Sequence, residues 1–75
     1  MRPRILDIIR NMKPEFQIDE TTQLVEGGYL DSFDIVSLVT ELEDAFNVKI
    51  SGIKIKPENF QDIAAIETLV KGSKH

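Results

Sequence analysis

The sequence predicts an all-α domain, and three observations carry that prediction. Apolar residues recur at helical spacing in three separate segments. The one stretch that alternates like a strand has no second strand in the chain to pair with. Finally, 75 residues with 41% apolar and 29% charged content are enough for one small core and too few for two. Residues 1–75 are therefore read as a single domain.

The elements follow in order. Ile5, Leu6, Ile8, Ile9 and Met12 form the first helical pattern. Pro3 is tolerated in its first turn and Pro14 ends it. Residues 15–30 carry scattered apolar side chains (Phe16, Ile18, Leu24, Val25, Tyr29), a polar cluster at 19–23 and the Gly27-Gly28 pair. This is a long ordered loop, and in so small a domain such a loop is either functional or packed across the core. From 31 to 47 the pattern is strongest, with Ile35, Leu38, Val39, Leu42, Ala45 and Phe46 on one stripe of a central helix. At about 100° per residue, Asp34, Ser37, Glu41 and Asp44 share a ridge turned away from that stripe. Val48, Ile50, Ile53 and Ile55 alternate with polar residues, but without a pairing strand the segment is read as an extended loop. After Pro57 a short turn at Glu58 and Asn59 leads to a last helix carrying Phe60, Ile63, Ala64, Ile66, Leu69 and Val70. That helix is expected to stop at Lys71-Gly72, with 72–75 frayed.

Composition removes most chemistries. There is no Cys, and the one His is His75. Disulfides, thiolate nucleophiles, zinc sites and an internal imidazole base are thus absent from the prediction, which contains no metal and no catalytic residue. The net charge is −4, and residues 14–46 hold nine acids with no Lys or Arg. This opposes nucleic acid or an anionic membrane as the main partner and favours a basic protein surface. No apolar run approaches the roughly 18 residues of a membrane span, and the N-terminus lacks a signal-peptide core. A cytoplasmic monomer is the expectation.

Asp31 or Ser32 supplies an N-cap for the central helix. The glycine pair before them exposes the Ser32 hydroxyl, and Phe33 follows it off the apolar stripe. Ser32 has no base to make it a nucleophile. A free phosphate would be repelled by Asp31 and Asp34, whereas a covalently attached one is compatible with the helix dipole. The environment suits modification of Ser32 by another enzyme.

Leu30-Asp31-Ser32-Phe33-Asp34, followed by Leu38, Leu42-Glu43, Phe46 and Ile50, resembles the acyl carrier and peptidyl carrier protein superfamily. That family's Asp-Ser-Leu signature opens the second helix of a four-helix bundle. Pro57-Glu58-Asn59-Phe60, Ile63, Ala65-Ile66 and Leu69-Val70 are similar to the later helices of free-standing carriers, so the resemblance spans residues 4–71. It implies an all-α four-helix bundle with a long loop between the first and second helices. It also implies that Ser32 receives 4′-phosphopantetheine from coenzyme A through a Mg²⁺-dependent phosphopantetheinyl transferase. The arm's thiol would hold an acyl, aminoacyl or peptidyl thioester, charged by an acyl- or aminoacyl-loading ligase and passed to downstream acyl-processing enzymes of a fatty acid, polyketide or nonribosomal peptide pathway. The protein itself would be no enzyme.

By the same resemblance Asp31, Asp34, Glu41 and Asp44 match the family's partner-recognition surface, to which Phe33, off the stripe beside the exposed hydroxyl, and Ser37, on the same ridge, are added as candidates. Leu38, Val39, Leu42, Phe46, Ile55, Phe60, Ile63 and Ile66 would line the interior, as core or as an acyl-chain cavity. Phe33 in place of Leu, Ser37 in place of Glu and the longer 49–56 loop depart from the fatty-acid branch. They look more like discrete carriers of specialised pathways, including aminoacyl or D-alanyl transfer. The competing reading is an unmodified acidic adaptor that binds a basic partner through the second helix. A small enzyme or DNA-binding domain lacks both the catalytic base and the basic helix it would need.

Overall fold

The computed structural model describes residues 1–73. Three α-helices, α1 (Arg2–Met12), α2 (Ser32–Phe46) and α3 (Ile63–Lys71), enclose one core, and the described residues contain no strand. Two short 3₁₀ turns join α2 to α3: Gly52–Lys54, a helical turn inside the segment expected to be an extended loop, and Pro57–Phe60, which stands where a further helix was expected. The all-α reading is thus correct, with its fourth element reduced to 3₁₀ geometry.

The helix ends follow their caps. In α2, Asp31 is extended (φ −104°, ψ −176°) and Asn47 closes the other end in the left-handed region (φ 53°, ψ 50°). The last α-helix begins at Ile63 rather than near Phe60. Asp62 is extended, and its Oδ1 accepts the Ala65 N–H at 2.8 Å, which separates Phe60 from the helix. Residues 72 and 73 are not frayed as expected. The Gly72 N–H donates to the Thr68 carbonyl at 3.1 Å and the Ser73 hydroxyl to the Leu69 carbonyl at 2.8 Å. The rest of that tail, 74–75, lies outside the described residues.

Ile5 and Ile9 of α1, Ile35, Leu38, Val39 and Leu42 of α2, and Ile63, Ile66, Leu69 and Val70 of α3 meet in the core around Phe60. The long loop crosses this core, burying Ile18, Leu24 and Leu30. Its backbone is tied down by Leu24 N–H to the Gln61 carbonyl (2.8 Å) and by Arg10 Nε to the Ile18 carbonyl (2.9 Å). These bonds replace the ladder or helix a sixteen-residue stretch would otherwise need. Two residues expected inside lie at the edge. Phe46, the last residue of α2, is half-buried with the Arg4 guanidinium 5.6 Å from its ring centroid. Ile55 is half-buried where the first 3₁₀ turn ends.

The mouth of the central helix as candidate functional site

The chain arrives at α2 through one turn that explains both glycines. Tyr29 N–H donates to the Leu24 carbonyl (2.9 Å) and Gly28 N–H to the Val25 carbonyl (3.1 Å), with Gly28 at φ +81°. This is the paired bonding of a helical turn closed by a left-handed residue, a position that favours glycine. Gly27 is required for a different reason. A Cβ there would stand 2.5 Å from the Gln23 carbonyl oxygen and 2.7 Å from the Tyr29 ring. The Tyr29 ring in turn packs edge-on against Phe16, with centroids 5.1 Å apart. The turn is therefore a stiff approach to the helix.

Asp31, not Ser32, is the N-cap. Its Oδ1 accepts the Asp34 N–H at 2.8 Å, and Asp34 Oδ2 accepts the Asp31 N–H at 3.1 Å, a reciprocal capping box. Because the cap is made by its neighbour, Ser32 at the first helical position is left exposed, and its hydroxyl makes no hydrogen bond to the described residues. A hydroxyl presented at the start of a capped helix, unbonded among the described residues and exposed, is accessible to a second protein.

The predicted recognition residues separate into two groups. Phe33 is 78% exposed, and Val36, one turn on, is 62% exposed. Asp31, Glu41 and Asp44 are exposed and Ser37 is half-buried. Asp34 behaves differently from the ridge drawn on the helical wheel. Its carboxylate turns toward α1, where Lys13 Nζ lies 2.9 Å from Oδ2, and only 16% of its side chain is exposed. The Lys13 hydrogen bond, with the Asp31 N–H behind it, holds the Asp34 carboxyl below the usual carboxylate range, while Asp34 raises the Lys13 ammonium. Glu43 is also drawn inward, accepting the Ile50 N–H at 2.9 Å.

Sequence reasoning missed Lys13 and Val36 at this site. Val36 was findable, three residues after Phe33 and equally off the stripe. Lys13 gave no local signal, since its partner is 21 positions away. Leu38, Leu42, Phe60, Ile63 and Ile66 are wholly buried against one another's elements. Among the described residues no group of three His, Cys, Asp or Glu is arranged to hold a metal ion, and no helix is long and apolar enough to cross a membrane.

Residues 4–71 match the family model described as a phosphopantetheine attachment site. The chain is similar to the D-alanyl carrier protein of Lactococcus lactis subsp. lactis (strain IL1403). The two are 32% identical over 76 residues, covering 99% of this chain and 96% of that protein. No solved structure matches it.

Proposed function

The chain belongs to the phosphopantetheine attachment family, as a carrier of the acyl and peptidyl carrier superfamily that bears covalent 4′-phosphopantetheine, and on that premise we propose that Ser32 is the residue that takes the arm. The observation that carries this is the hydroxyl itself: exposed, unbonded among the described residues, and relieved of capping by Asp31. The residues fit the group. Ser32 offers the oxygen, and the unpaired N–H groups of the first turn offer partial positive charge to a phosphodiester there.

In the transfer, Ser32 Oγ attacks the pantetheine-bearing phosphorus of coenzyme A. The bond from that phosphorus to the oxygen of adenosine 3′,5′-bisphosphate breaks, and the hydroxyl proton passes to a base on the transferase. The arm supplies a thiol for thioester formation, chemistry that a chain without Cys cannot provide. The remaining work of this chain is presentation. α2 offers Phe33 and Val36 as an apolar contact, with Asp31, Glu41 and Asp44 as charges for basic groups on the transferase and the loading ligase. Similarity to the Lactococcus protein supports an aminoacyl cargo, with D-alanine the first to try.

The test is the intact mass before and after incubation with coenzyme A, Mg²⁺ and a broad-specificity phosphopantetheinyl transferase, followed by peptide mapping. One phosphopantetheine on Ser32, and none on a folded Ser32→Ala variant, is expected. Loading of the variant, or none of an unmodified parent, would reject the assignment.

A further inference from the structure

Proceeding from Ser32 as the attachment point, we propose that Lys13 is the counter-ion of the attached arm, compensating the phosphodiester that modification adds at the start of α2. The site is short of positive charge. Its first turn already holds the carboxylates of Asp31 and Asp34, and residues 14–46 contain no Lys or Arg. A further negative charge there meets repulsion from both acids. The partial charge of the helix N-terminus offsets part of it.

The only full positive charge that the described residues bring into contact with this turn comes from α1. Lys13 follows the last residue of that helix, and its Nζ bonds Asp34 Oδ2 at 2.9 Å. The same oxygen accepts the Asp31 N–H at 3.1 Å. The ammonium therefore sits against the capping box that encloses Ser32, one shared oxygen from the amide before it. The fields of Asp31 and Glu15 also act on it. An ammonium has three donors on a flexible four-carbon stem, so Lys13 keeps Asp34 and turns a second N–H toward a phosphodiester oxygen. With 21% of its side chain exposed, Lys13 keeps part of its surface open to solvent.

The competing role is a staple between α1 and α2 that has nothing to do with the arm. A staple contributes equally before and after modification, whereas a counter-ion contributes more after it. The experiment crosses Lys13→Met with modification. Parent and variant are prepared with and without phosphopantetheine, checked by intact mass, and melted at low ionic strength. Lys13→Met is expected to lower the melting temperature of the modified form by about 3 °C or more beyond its effect on the unmodified form. The excess should vanish in about 1 M salt, and Lys13→Arg should restore the parent behaviour. Equal lowering of the fully loaded and unloaded forms would overturn the proposal and leave Ser32 attachment standing. A parent that takes up no arm would overturn the attachment reading instead, and this inference with it.

Discussion

Two truncations on different faces of α2 separate what holds the fold from what meets a partner: Leu42→Ala and Val36→Ala. Leu42 is wholly buried in the core shared by all three helices. Its truncation loses the transfer free energy of the removed groups and leaves a cavity, about 2–5 kcal/mol together. A domain of this length holds roughly 4–11 kcal/mol in all, so the loss is a large share of the total. At about 4–8 °C per kcal/mol the melting temperature should fall by roughly 8 °C or more. Val36 is on the same helix but 62% exposed, so its truncation should change stability by no more than about 0.5 kcal/mol. Modification should show the opposite pattern. Val36→Ala removes an apolar contact and should lower kcat/KM for the transferase about threefold or more. Leu42→Ala, assayed well below its melting temperature, should stay close to the parent. Circular dichroism melts, urea titrations and initial modification rates measure both quantities. A Leu42→Ala protein that melts with the parent, or a Val36→Ala protein destabilised as much as Leu42→Ala, would refute the assignment of faces on α2.

Two other outcomes follow from the charges. The folded-state pKa of Asp34 is depressed by the Lys13 hydrogen bond and then by the Asp31 N–H. Its stabilising contribution is therefore complete above the unfolded value of about 3.9 and is lost as pH falls through the lower folded value. Asp34→Asn should flatten that acid limb in urea midpoints between pH 7 and pH 2.5. Part of the limb should survive, because Asp19 and Glu67 are also depressed, by Thr21 and Arg2 respectively. A limb identical to the parent's would show that the pair contributes nothing. Separately, reversing Glu41 and Asp44 to Lys should slow modification by about tenfold at low salt, through association, and the difference should shrink as salt is added. Equal rates at low salt would remove these acids from the recognition surface.

What could be read from the sequence was what is local. The central helix runs within one residue of its expected ends because Asp31 and Asn47 cap it by bonds to residues three and four positions away. The long loop was placed as an alternative, functional or packed across the core. Burial of Leu24 and Leu30 establishes the packing, and the Gln61 carbonyl that receives the Leu24 N–H lies too far along the chain for any spacing to announce. Phe60 was assigned to the last helix because its apolar spacing continues through Ile63, yet periodicity does not register that Asp62 is extended between them.

Asp34 shows the same limit where it matters for function. A helical wheel treats every position off the stripe as equally open to solvent, and so placed Asp34 on the ridge with Glu41 and Asp44. Its spacing of three from Asp31 carried the capping signal, but Lys13 enters from another helix and turns the carboxylate inward. The surface left to a partner is consequently narrower and less acidic than the charge count of residues 14–46 suggests. Glu43 and Asp34 are engaged within the fold, which leaves Asp31, Glu41 and Asp44 exposed on the helix that carries Phe33 and Val36. On the proposed reading, recognition by three charges and two apolar side chains would make the association rate sensitive to salt and the lifetime of the complex sensitive to the apolar pair. Dissociation of the transferase should therefore quicken with Phe33→Ala far more than with added salt, because a contact removed from water is not screened.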